Sequence, residues 1–221
     1  MRRIILAIAL VISATLCFNA VAVNELGLNQ LKQSESVLNV PATNQSENLP
    51  SGDIVLLMQD SGGNLSRMNI TLAASPTYGS AQTVKFTAPR VGWKLKHVLV
   101  MATDGWNSSS KQLPNPLPFA IEIRDANFSL LYQFAGVQFP YFSSEIGVRM
   151  GDIEVPSVPV NGDFYVCFYG FRSLGLAAEL QNATGNSYFF DKLTDMLYPG
   201  ALPLGNNQTM PVNWIIRAAG Q

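Results

Sequence analysis

Phe119-Ala120-Ile121-Glu122-Ile123-Arg124-Asp125-Ala126-Asn127-Phe128-Ser129-Leu130-Leu131-Tyr132-Gln133-Phe134 decides the fold class of this chain. Phe119, Ile121 and Ile123 alternate with Glu122 and Arg124, the period of two that sends apolar side chains to one face of a strand and polar ones to the other. Asp125-Ala126-Asn127 then supplies turn residues at hairpin distance from Leu130–Phe134. The two segments are therefore expected to pair antiparallel, with the Glu122 and Arg124 face half-solvated.

The same rhythm recurs on both sides of this hairpin. Ile54–Met58, Asn69–Ala73, Thr83–Thr87, Leu95–Ala102, Ile153–Val155, Phe164–Tyr169, Tyr188–Phe190 and Trp214–Ala218 are short apolar runs bounded by Gly, Pro, Asn and Asp. No window sustains a long helical period, although Leu174–Leu180 and Asp191–Leu197 each read as a helical turn or two. Phe164, Val166 and Phe168 oppose Tyr165, Cys167 and Tyr169, so this strand is apolar or aromatic on both faces and belongs at the centre of a sheet or under a loop. The pattern as a whole predicts an all-β fold over residues 51 to 221, a two-sheet antiparallel β-sandwich.

Upstream of the domain the composition changes twice. Met1, Arg2 and Arg3 precede an apolar run from Ile4 to Phe18, and Ala20-Val21-Ala22 offers the small residues of a cleavage site. Residues 1 to 22 are thus expected to be a signal peptide, cleaved after Ala22. The apolar run is short against the roughly 20 residues that span a bilayer, and no second run of spanning length follows, so no membrane span is expected after cleavage. Leu16 before Cys17 is too large for a lipobox. Residues 23 to 50 are rich in Asn, Gln, Ser and Glu and read as a flexible linker.

Seven N-x-S/T sequons follow the export signal, at Asn44, Asn64, Asn69, Asn107, Asn127, Asn182 and Asn207. Chance placement among these residues would give about two or three, and all but Asn69 fall in the tail or in predicted loops. A secreted or cell-surface glycoprotein is the expectation. Charged residues are only 13% of the chain, against roughly 25% in ordinary soluble domains, so solubility falls to amides, hydroxyls and attached sugars. Loss of Arg2 and Arg3 leaves 12 basic residues against 15 acidic ones, a formal charge of −3 that argues against nucleic acid. Cleavage also leaves Cys167 without a partner, so no internal disulfide is expected, and an exported chain without disulfides but rich in sequons fits an archaeal envelope.

Val160-Asn161-Gly162-Asp163-Phe164-Tyr165-Val166, Asn186-Ser187-Tyr188-Phe189 and Asn213-Trp214-Ile215-Ile216-Arg217-Ala218 together resemble the closing strands of a jelly-roll-like β-sandwich accessory domain. Such domains are appended to secreted archaeal and bacterial proteins, including peptidases and surface proteins. The resemblance implies a non-catalytic module and is confined to the C-terminal third.

Chemistry is sparse. His97 is the single histidine, and no Gly-x-Ser-x-Gly elbow accompanies it. One histidine and one mature cysteine cannot form a usual zinc site, and Cys167 reads as a buried thiol. Glu122 with Asp125, Asp152 with Glu154, and Asp191 with Asp195 are the carboxylate pairs a glycosidase-like hydrolase would need. Asp104 and Asp163, each beside a glycine, are candidate ligands for a structural calcium ion. Trp106, in an Asn- and Ser-rich loop, is the leading candidate for stacking on a sugar, with Tyr141 and Phe142 as a second aromatic pair.

These features define an exported binding or structural module whose partner is an envelope glycan, a surface protein or further copies of itself. The alternative from another class is a secreted hydrolase. Three observations separate them: carboxylates converging in a cleft favour hydrolysis, an exposed aromatic platform favours sugar binding, and a long unpaired apolar edge strand favours assembly.

Overall fold

The computed structural model describes residues 54–62, 68–103, 109, 111, 116–138, 141–142 and 149–221. The signal peptide and linker expected over residues 1 to 50 lie outside them. In chain order the strands are β1 (Val55–Met58), β2 (Ile70–Ala73), β3 (Ser80–Thr87), β4 (Lys94–Ala102), β5 (Pro118–Asp125), β6 (Leu130–Val137) and β7 (Arg149–Pro159). They continue as β8 (Asp163–Tyr169), β9 (Leu176–Glu179), β10 (Ser187–Asp191), β11 (Met196–Pro199), β12 (Ala201–Gly205), β13 (Gln208–Pro211), β14 (Asn213–Trp214) and β15 (Ile216–Gly220). No helix occurs among the described residues.

Every pairing is antiparallel. The first sheet runs β1-β15-β4-β7, and β9 continues it past the end of β4, carrying β2 and β14. The second runs β11-β10-β3-β8-β5-β6, and β12 with β13 forms a separate hairpin. The two sheets share one core. Val84 and Phe86 of β3, Phe119, Ile121 and Ile123 of β5, and Phe164, Val166 and Phe168 of β8 meet Leu95, Val98, Val100, Ile153, Ile216 and Ala218 of the first sheet. The alternation read from Phe119–Arg124 thus sets which face of β5 enters the core, and the register Ile121↔Phe134 confirms the hairpin with β6.

In β4 the inward residues Leu95 and Val98 are three apart, because a register shift against β15 inserts an extra residue between Leu95 and His97. Gly220 ends β15 where the chain passes so close to the Lys94 carbonyl and the Trp93 indole that no Cβ fits. Trp93 and Trp214 both lie in the core.

Two expectations are overturned. Leu174–Leu180 contains β9, not a helical turn, and Asp191–Leu197 is the tight connection from β10 into β11. Leu176, Ala177, Ala178 and Glu179 favour helix in isolation. Pairing with β2 and β14 buries all four, and that burial overrides a propensity difference of a few tenths of a kcal/mol per residue.

Candidate functional site

The outer face of the second sheet, turned away from the shared core, carries a second buried cluster. Ala81, Ala120, Cys167, Tyr169 and Phe190 form it, and Phe128, Tyr165, Phe171 and Leu197 pack over them. The expectation of a half-solvated face is corrected here, because loops fold aromatic rings onto it. Phe128 comes from the β5–β6 turn and Phe171 from the turn after β8, and both take positive φ, 66° and 48°. A bulky residue in that region costs of order 1–3 kcal/mol. Packing offsets the cost: Phe128 meets Phe190 at 4.5 Å and Tyr165 at 4.9 Å, while Phe171 meets Tyr78 at 5.0 Å. Cys167 lies beneath this layer, its thiol pushed up to about 12 by burial, consistent with an inert core position.

At the centre of the face Glu122 is 1% exposed. Its carboxylate accepts four hydrogen bonds, from Lys192 Nζ at 2.6 Å, Arg124 Nη2 at 2.7 Å, Arg124 Nε at 2.9 Å and the Tyr169 hydroxyl at 2.9 Å. Burial alone would raise its pKa, but the donors from Lys192, Arg124 and Tyr169 together outweigh burial and hold it below the ordinary value. Arg124 is itself held between the rings of Phe128 and Phe190, its guanidinium carbon 5.2 and 4.9 Å from their centroids. A carboxylate ionised and saturated in this way is a poor proton donor, so Glu122 organises the face.

Beside it opens a cleft of about 170 Å³, bordered by Tyr78, Glu122, Gln133, Tyr169, Phe171 and Lys192. Tyr78 is 68% exposed and rests against Phe171 with the rings tilted by 30°. Lys192 crosses from the turn after β10 and lies 5.5 Å from the Tyr169 ring. A shallower hollow of about 270 Å³ near the far end of β5 is bordered by Asp125, Asn127, Leu131 and Asn161.

The same sheet ends in β6, beyond which no strand pairs among the described residues. Leu130, Leu131 and Val137 are 50%, 41% and 46% exposed. Leu-Leu-Tyr-Gln-Phe-Ala-Gly-Val contains neither charge nor proline. Alternate residues of such a strand turn N–H and C=O groups outward, and among the described residues no strand meets them. The neighbouring edge of the other sheet is guarded: β7, which lies in contact with β6, carries Asp152, Glu154, Pro156 and Pro159.

The residues singled out in the sequence scatter over the fold. Phe142 is buried against Phe119 and Phe168, at 5.2 and 6.1 Å, so it cannot stack on an external sugar. Tyr141 is half-buried, edge-on to Phe119 and Phe134 at 5.6 and 5.7 Å. Trp106 and Asp104 lie outside the described residues. Asp163 pairs with Lys85 Nζ at 2.6 Å and accepts from the Thr87 hydroxyl at 2.7 Å, bonds that hold its carboxyl below the ordinary value. Among the described residues no three His, Cys, Asp or Glu side chains are grouped as a metal site would need.

Apart from Glu122, the paired carboxylates sit at turns and on a strand edge. Asp125 closes its own turn by accepting from the Asn127 and Ser129 amides, Asp191 accepts from the Leu193 amide, and Asp152 bonds His97 Nδ1 at 3.0 Å on the β7 edge. Asn69, Asn127, Asn182 and Asn207 are exposed, while Asn44, Asn64 and Asn107 lie outside the described residues. Gln133, Tyr78, Phe171 and Lys192 escaped the sequence reading. The outward positions of Glu122, Arg124 and Tyr169 were its one available signal.

No family model matches the chain, and no curated protein matches it.

Proposed function

We propose that this chain is an exported, N-glycosylated structural module of the cell surface that assembles with its own copies by strand addition at β6. The observation carrying the proposal is the uncharged, proline-free edge of eight residues with exposed Leu130, Leu131 and Val137. An edge of this kind is a template for another strand, and proteins that do not use it normally blunt it. A second β6 laid antiparallel about Gln133 sets Leu131 opposite Ala135 and Tyr132 opposite Phe134, with no like charges in opposition. The export signal, the sequon excess and the four exposed sequon asparagines support a location outside the cell.

The strand order supports a jelly-roll reading of the sandwich. The chain alternates between β1-β15-β4-β7 and β3-β8-β5-β6, two four-stranded sheets linked by long returns, with β2 and β9 to β14 as additions. Binding and structural modules are common on this architecture, an argument from fold analogy alone.

Sedimentation of the mature chain tests the proposal. A concentration-dependent oligomer is expected, with a dissociation constant on the order of micromolar, since one strand pair buries less than the roughly 1,200–2,000 Å² of a standard interface. Leu131→Lys with Val137→Lys should leave a monomer of unchanged melting temperature. A wild-type chain that stays monomeric at about 100 µM, some hundredfold above such a constant, or a double variant that associates as well as wild type, would overturn it.

A further inference from the structure

We propose that the cleft between Tyr78 and Lys192 is a binding site for a single sugar residue bearing an acidic group, of the hexuronic acid type. This inference does not depend on assembly through β6.

Four observations carry it. The first is the ring. Tyr78 is mostly exposed and yet braced against Phe171 at 5.0 Å, and its loop is closed by the Ser80 hydroxyl, which donates to the Thr77 carbonyl at 2.9 Å and accepts from the Thr77 amide at 3.1 Å. A ring already fixed in place stacks on a sugar face without the ordering cost a free side chain would incur. The second is the backbone. Phe171 and Arg172 take consecutive positive φ values of 48° and 63°, a conformation bulky residues avoid unless the surroundings impose it. Here it turns Phe171 beneath Tyr78.

The third is hydrogen-bonding capacity. Gln133 is exposed at the cleft and offers both donors and an acceptor, as a hydroxyl-rich ligand requires. Lys192 spends one N–H on Glu122 at 2.6 Å and keeps two for a ligand. The Lys192 amide also donates to the Gly79 carbonyl at 3.1 Å, tying the cationic turn to the Tyr78 loop. The fourth is charge. Glu122 supplies one negative charge against two positive ones, Arg124 and Lys192. The excess falls on half-exposed Lys192 at the mouth of the cleft, on a chain that is otherwise net acidic. A ligand carboxylate placed there gains a charge-assisted hydrogen bond that a neutral sugar lacks. The volume of about 170 Å³ suits one ring, well below the roughly 300–1,000 Å³ of sites for larger ligands.

Saturation-transfer NMR and calorimetry on the full exported chain, with methyl glucuronide, methyl glucoside and acetate as probes, test the site. Methyl glucuronide should bind with a dissociation constant on the order of millimolar, tighter than either the glucoside or acetate. Tyr78→Ala should weaken it tenfold or more with only a small drop in melting temperature, because the ring is mostly exposed and its ring contact is with Phe171. Lys192→Gln should reduce glucuronide to the level of glucoside, and Lys192→Arg should restore it. No saturation by methyl glucuronide at about 20 mM, far above such a constant, would overturn the proposal. So would Tyr78→Ala binding as well as wild type, acetate binding as tightly as glucuronide, or glucoside matching it. Because Tyr78→Ala leaves the Glu122 network untouched, its result decides even if a Lys192 variant fails to fold.

Discussion

Glu122 shows how one buried charge can be kept on a sheet. Removing its carboxylate leaves the Arg124 guanidinium between two rings without a counter-charge, and breaking a buried pair in this way typically costs about 3–5 kcal/mol. Lys192 is half-exposed and recovers water, so the lower end applies: Glu122→Ala should destabilise by about 3 kcal/mol, read by chemical denaturation. The pH dependence has a definite sign. The folded carboxyl titrates below its unfolded value of about 4.3. Its stabilisation is therefore fully present above that pH and is lost as pH falls through the lower folded value. Unfolding curves taken between about pH 6 and pH 3 should show an acid limb that is flattened in Glu122→Gln. An identical limb in the variant would assign acid sensitivity to other carboxylates.

The β5–β6 hairpin is the element that was most legible and also the one that hid the site. Its alternation fixed strand direction, pairing and the inward face, because those depend only on neighbours in sequence. Glu122 and Arg124 stood together on the outward face for the same reason. Lys192 did not, since it reaches Glu122 only through the order β10-β3-β8-β5, which no local pattern encodes. Tyr78 and Phe171 arrive from loops, and β12 and β13 were missed because Pro203 and Pro211 speak against strands. The turn itself holds strain that packing offsets. Phe128 occupies the left-handed position where such hairpins favour glycine, after a turn in which its amide donates to the Asp125 carbonyl at 3.0 Å. Phe128→Ala loses the ring contacts and keeps the strain, whereas Phe128→Gly loses the contacts and releases it. Both variants should be less stable than wild type, the glycine variant by about 1 kcal/mol less than the alanine one. That order reverses the usual penalty for glycine in sheets, and alanine proving the more stable in thermal melts would refute strain at this position.

On the scale of the whole molecule, the strand edges and the sequons both bear on the proposed assembly. Charged and proline-bearing β7 disfavours strand addition, β1 and β11 are only four residues long, and β6 is left as the open edge among the described residues. Asn127 sits in the turn three residues before β6 begins, exposed and next to Leu131 across the shallow hollow. A glycan there stands at one end of the open edge. Antiparallel pairing centred on Gln133 places Asn127 just past the last paired residues, so the sugar would permit that register while blocking strands that slide toward the turn. Tyr132 and Phe134 face the core and oppose one-residue slips, but two-residue slips keep the faces matched and lead to larger, irregular assemblies. Asn127→Gln, expressed in a host that modifies the remaining sequons, should therefore broaden the sedimentation profile toward heavier species. The same change at Asn207, on the tip between β12 and β13 and outside the second sheet, should leave the profile as it was. A mass shift on the Asn127 peptide must accompany the wild-type result. If both variants sediment alike while Asn127 is modified, the glycan does not govern the edge, and control of register passes to the side chains of β6 itself.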